Sequence, residues 1–178
     1  AREDLLNAFT AIEGLYVPKF FVPNYHSDGR AKEIKALKPH YTGVKKRIVK
    51  DLNLVPYPTK PIVPTVKLIH DRIGIEIQRG CSQACRFCQA GMIYRPVRER
   101  SPESIVETIT NAVTDGGYDE ASLTSLSTAD YSAIHPLVRT VVETLSQENV
   151  AVSVSSLRAY GLDEDILDDI RKVRASGL

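Results

Sequence analysis

The chain has 178 residues, 43% hydrophobic and 25% charged, a balance that suits a folded globular core and excludes a disordered or fibrous polypeptide. Its 23 basic and 22 acidic residues leave a net charge of +1, which gives no support to bulk attraction to nucleic acid or membrane, so any such partner would have to be recognised locally. Apolar runs are too short for a secretory signal or a membrane span, and three cysteines within eight positions cannot form a paired disulfide framework, so a cytoplasmic protein with a clustered metal site is expected.

Residues 1–70 read as a lead-in segment, rich in prolines from Pro18 to Pro64 and in aromatics such as Tyr16, Phe20, Phe21 and Tyr41. Leu5, Leu6, Phe9 and Ile12 share one face of a predicted helix over residues 2–13. A strand is expected over Leu15 to Val22 despite Pro18, and a shorter one over Lys46 to Asp51. From Leu54 to Val66 a proline every few residues predicts an extended path that cannot become helical.

From Ile73 the pattern changes to strands alternating with helices long enough to cross back over a sheet, which predicts parallel strands in an α/β fold. The predicted strands are Ile73 to Arg79, Glu120 to Ser127 and Val150 to Leu157. The predicted helices begin after Ser101, near Ser132 and after Asp163, where small polar residues can accept from free backbone amides; Pro102 suits a first helical position. Gly116-Gly117 and Gly177 suit helix ends. The helix from Ile134 to Leu145, and Ile166, Leu167 and Ile170 of the next, supply core residues, and His135 near a helix start is structural.

Each strand carries one polar or small face: Gly74, Glu76 and Gln78; Ser122 and Thr124; Ala151, Ser153 and Ser155. Parallel strands covered on both faces normally read as continuous apolar runs, so this face is expected to line a wet cavity.

About twenty residues separate the first predicted strand from its helix, far beyond a usual connection, and they carry Cys81, Cys85 and Cys88 as CxxxCxxC. Three thiolates on one loop can each hold one iron of a cubane and leave the fourth iron open. Zinc is the competing occupant. It would need a fourth ligand from His26, His40, His70, His135 or an acid, and no second CxxC or paired histidine is present.

CxxxCxxC with Phe87 before the last cysteine resembles the signature of the radical S-adenosylmethionine (radical SAM) superfamily. The runs Lys46 to Leu52, Pro61 to Pro64, His70 to Cys81 and Phe87 to Arg100 resemble a bacterial subfamily of uncharacterised radical enzymes, often preceded by a cobalamin-binding-like domain. Its radical domain is similar to those of methylthiotransferases that modify tRNA. The resemblance implies a partial (β/α) barrel over residues 71–178, of about three βα units where the family barrel has six, so a truncated fragment is expected. It implies a 4Fe-4S cluster on Cys81, Cys85 and Cys88 that reductively cleaves S-adenosylmethionine to a deoxyadenosyl radical, which abstracts hydrogen from an unknown substrate, RNA among the candidates. Cobalamin would be a second cofactor of the full-length protein.

The resemblance further implies that Phe87 lies against the adenine. The family's Gly-Gly-Glu is replaced by Ser125-Leu-Ser-Thr-Ala-Asp130, which leaves Ser127 and Thr128 to bond the methionyl amino group, with Ser155, Ser156 and Arg158 as further cofactor contacts. Arg158 is equally read as a solvated loop residue. Tyr94, Arg95, Arg98 and Arg100 read either as a basic, aromatic lip for a phosphate-bearing substrate or, with more weight, as a solvated loop. Catalytic residues beyond the cofactor cannot be named. The isolated half barrel, with an uncovered strand edge, is expected to self-associate and to be catalytically inactive. The alternative function is a non-catalytic iron-sulfur protein for electron transfer or redox sensing, although a sulfur-only site normally brings a fourth cysteine.

Overall fold

The computed structural model describes residues 1–62, 65–66, 68–158 and 164–173. Two compact units divide it, Ala1–Val49 and Lys50–Leu178.

In the first unit α1 (Arg2–Phe9) is shorter than residues 2–13, because the Thr10 hydroxyl turns back to the Asn7 carbonyl at 2.7 Å and the chain leaves through Gly14 at a φ of 82°. The strand expected over Leu15 to Val22 is displaced. Pro18, with φ fixed by its ring, opens a 3₁₀ turn over Pro18–Phe20, and β1 (Phe21–Tyr25) follows it. β1 pairs antiparallel with β2 (Ala31–Ala36) through a turn in which Gly29 holds a φ of 83°, a hairpin that Asp28-Gly29 signals in sequence. Val17, Phe20, Phe21 and Tyr41 form its small core. Lys46 to Asp51 carries no strand.

The second unit runs β3 (Ile73–Glu76), β4 (Gln78–Arg79), α2 (Ala90–Ile93), β5 (Arg98–Glu99), α3 (Pro102–Gly116), β6 (Glu120–Thr124), α4 (Ile134–Ser146), β7 (Ala151–Val154) and α5 (Glu164–Arg171). β3, β6 and β7 form a parallel sheet in that order, with Ile75 opposite Leu123 and Leu123 opposite Val154. It is an open sheet; no closed barrel is present among the described residues.

Helix ends follow from local chemistry. The Ser101 hydroxyl accepts from the Ser104 amide at 3.3 Å, Pro102 occupies the first turn of α3, and Gly117, at a φ of 69°, ends it. Ser132 does not cap α4: its amide donates to Glu99 at 2.9 Å and its hydroxyl bonds the same carboxylate. Asp163 and Gly177, expected at the two ends of α5, lie outside the described residues.

Ile105, Ile109, Ala112 and Val113 of α3 and Leu137, Val138, Val141, Val142 and Leu145 of α4 recur at helical spacing and bury against Ile75, Ile77, Leu123 and Val152. Each fully buried aliphatic contributes about 1.5–3 kcal/mol, so this helix-covered face fixes the sheet. In α5, Ile166 and Ile170 join the core and Leu167 is only half-buried.

The strand expected from Ile73 to Arg79 changes partner midway. Ile77 donates to the Thr124 carbonyl at 3.0 Å, on the β6 side, and accepts from the Arg100 amide at 2.8 Å. Beyond it, β4 pairs antiparallel with β5, Gln78 opposite Glu99 and Arg79 opposite Arg98. The chain is thereby led out of the parallel sheet just before Gly80-Cys81. The other two strands also stop early: β6 because Ser125 and the residues after it turn back on their own amides, the Ser127 amide donating to the Ser125 hydroxyl at 3.0 Å, while β7 ends at Val154.

Candidate functional site

The cysteine connection leaves β4 at the C-terminal end of the sheet, the end at which α/β folds place their chemistry. Gly80, at a φ of 91°, makes the exit. A Cβ there would sit 2.7 Å from both the Tyr94 and the Pro96 carbonyl oxygens, so no larger residue fits without moving backbone.

Cys81 is buried, Cys88 half-buried and Cys85 exposed, all as free thiols. The Gln83 amide donates to the Cys81 sulfur at 3.5 Å and the Gly91 amide to the Cys88 sulfur at 3.4 Å. Among the described residues no group of three or more His, Cys, Asp or Glu is gathered tightly enough for a single metal ion. The donor set, three soft sulfurs on one loop, is of the chemistry that suits an iron-sulfur cluster.

Of the arginines expected as a lip or as solvated side chains, Arg95 and Arg98 instead hold the connection's backbone, and Arg100 bonds backbone outside it. Arg95 donates to the Cys81 and Ser82 carbonyls at 3.3 and 3.5 Å, and Arg98 forks onto the Pro96 and Tyr94 carbonyls at 3.0 and 2.9 Å. Arg100, only 3% exposed, donates to the Glu76 and Val55 carbonyls at 3.3 and 3.2 Å and lies over the Tyr57 ring. A connection this long leaves carbonyls that no strand or helix satisfies, and planar five-donor guanidinium groups meet that need. Burial pushes the Tyr57 phenol up, and its hydroxyl bonds the Gly74 carbonyl.

The polar strand face does border a cavity, of about 480 Å³, at the ends of β3 and β6; Glu76, Gln78, Arg79, Tyr94, Thr124 and Ser125 are among its lining residues. Arg79 forks onto Glu76 at 2.8 and 2.5 Å, and this pairing raises the guanidinium further above its ordinary value. The same face does not stay wet along its whole length. Ser122 is buried, and among the described residues the Gln78 amide oxygen and the Ser153 hydroxyl have no hydrogen-bond partner.

The other expected contacts are spread over three segments. Phe87 is 93% exposed. Ser127 and Thr128 are buried in the turn after β6, where Thr128 shares a hydrogen bond with Ser125 at 3.0 Å. Ser155 is half-buried after β7, its hydroxyl on the Leu123 carbonyl at 3.3 Å, and Ser156 is exposed at a φ of 56°. Arg158 is not a solvated loop residue. Its Nε and Nη2 lie 3.1 and 2.8 Å from the Ser127 hydroxyl, and Nη2 also pairs with Asp130. Asp130 in turn accepts from the Gln83 side chain at 3.2 Å, which joins the turn after β6 to the cysteine loop. Sequence reasoning missed Gln83 and Asp130 as partners. Asp130 was visible only as the last residue of the segment standing in for Gly-Gly-Glu.

No helix among the described residues is long and apolar enough to cross a membrane. The family profile described as Radical SAM superfamily matches residues 75–177, more than half of the chain. An uncharacterized protein of Methanocaldococcus jannaschii, MJ0966, is 34% identical to the chain over 93 residues. Those residues are 52% of this chain, which spans about 20% of that relative's length.

Proposed function

Since the chain belongs to the radical SAM superfamily, we propose that Cys81, Cys85 and Cys88 hold a 4Fe-4S cluster at which S-adenosylmethionine binds. The observation that carries this reading is the placement of all three cysteines on one amide-lined connection at the C-terminal end of a parallel sheet. When bound, the cluster supplies the electron that cleaves S-adenosylmethionine to a deoxyadenosyl radical, chemistry that side chains cannot provide.

The chain's own residues orient and enclose. Gly80 and the arginine-bonded carbonyls hold the connection in register, so that the cysteines are delivered as a set. Ser127, Thr128, Ser155, Ser156 and Arg158 offer hydroxyls and a guanidinium toward the methionyl group, and Phe87 offers a ring for the adenine. The exposure of Phe87 agrees with a ring awaiting a partner. Residues 71–178 are read as half of a (β/α) barrel and residues 1–70 as its lead-in. The substrate, RNA or otherwise, any cobalamin and any self-association are part of the same proposal for the whole protein. A cytoplasmic setting suits reduced thiols.

The test is anaerobic reconstitution with iron and sulfide, followed by electron paramagnetic resonance of the reduced protein with and without S-adenosylmethionine. A 4Fe-4S signal that the cofactor perturbs, and that Cys85→Ala abolishes, supports the reading. Stoichiometric zinc in place of the cluster, or a cluster indifferent to S-adenosylmethionine, overturns it.

A further inference from the structure

We infer that Asp130 is a resident carboxylate on Arg158, a stand-in that the carboxylate of an incoming ligand must displace, and that its second oxygen ties the exchange to the cysteine loop. This rests on the cofactor reading above.

One Asp130 oxygen pairs with Nη2 of Arg158 and the other accepts from Gln83 at 3.2 Å. Gln83 stands midway between Cys81 and Cys85. Arg158 lies just after β7 and Asp130 at the end of the turn after β6, so one carboxylate joins the C-terminal ends of all three parallel strands. Both side chains of the ion pair are 22% exposed. The pair is shielded enough to outweigh a surface ion pair, yet open enough for exchange with a ligand. The Ser127 hydroxyl, 2.8 Å from Nη2 of Arg158, keeps the guanidinium in place whichever carboxylate occupies it.

A ligand carboxylate meets an arginine already paired with a chemically equivalent group. Its apparent affinity is then lowered by the fraction of molecules in which Arg158 is released. When Asp130 leaves, Gln83 loses its acceptor, and arrival at Arg158 is registered in the loop that holds Cys81 and Cys85. A purely structural ion pair would couple nothing: its removal would weaken all ligands alike.

The experiment compares Asp130→Asn with wild type in the anaerobically reconstituted protein, by equilibrium dialysis of S-adenosylmethionine and of its decarboxylated analogue, with bound iron measured for each sample. The expected result is about tenfold tighter binding of S-adenosylmethionine and unchanged binding of the analogue, as release from an internal competitor requires. Asp130→Ser removes the same charge with a different side chain and guards against one variant that fails to fold. Equal change for both ligands, or weaker binding of S-adenosylmethionine by the variants, overturns the stand-in and leaves the cofactor reading intact. No binding to any iron-loaded protein overturns both.

Discussion

Gly80→Ala isolates what the exit from β4 demands. At a φ of 91° an L-residue is strained by roughly 1–2 kcal/mol. The new Cβ would also meet two backbone oxygens at 2.7 Å, those of Tyr94 and Pro96, and neither can yield freely because Arg98 donates to both. Crowding of this kind costs about 1–3 kcal/mol, against a gain of about 0.4–1 kcal/mol from a stiffer unfolded chain. The expected net loss is about 2–4 kcal/mol. Gly117→Ala is the control: it also has a positive φ, 69°, but no described atom beyond its chain neighbours and its own helix lies within 4 Å of its Cβ, so only the strain remains, up to about 1.5 kcal/mol after the same offset. Urea unfolding of both variants reads the difference, and iron bound after reconstitution reads whether the cysteine loop still assembles. Gly80→Ala should unfold at clearly lower urea and take up less iron. Equal midpoints and equal iron in the two variants would refute the claim that backbone approach at Gly80 sets the loop.

Two further substitutions test the frame around the site. Burial, and then Glu99 and Glu103, push Tyr131 up to about 12 from 10.0, and its hydroxyl donates to the Arg100 carbonyl at 2.7 Å. The fold favours the neutral phenol, so its contribution is complete below pH 10 and is lost as pH rises toward 12, by about 2–3 kcal/mol; Tyr131→Phe should flatten this alkaline loss in urea midpoints measured against pH. Ser101→Ala removes the cap of α3 and should cost about 1 kcal/mol in the same assay, without altering the pH profile.

The parallel sheet and its helices were legible because their cause is local and periodic. Ile105, Ile109 and Val113 repeat at helical spacing, Ser101-Pro102 and Gly116-Gly117 bracket them, and Ile73, Ile75 and Ile77 alternate. The misread elements are those in which two local signals compete. Pro18 interrupts an apolar run that otherwise suits a strand, and its fixed φ prevails, so that the strand starts only at Phe21. Ser132 has the right chemistry for a helix cap, but Glu99, far away in sequence, holds both its amide and its hydroxyl. The serines after β6 ended that strand sooner than its apolar pattern suggested, for side chains that bond nearby amides do not show in hydropathy.

The cysteine loop stood out in the sequence because three thiols at fixed spacing suit few roles, whereas the groups that bond its backbone obey no spacing rule. Arg95, Arg98 and Arg100 looked like solvent or substrate contacts because a single sequence does not say which carbonyls a long connection leaves unsatisfied. That need appears only once β4 has left the sheet and the returning strand β5 lies beside it. The same geometry accounts for Arg158. Read alone it is a fork waiting for a carboxylate, and in the fold the fork is already engaged by Asp130 and Ser127. On the proposed cofactor reading, a ligand carboxylate at Arg158 would first have to replace these internal partners.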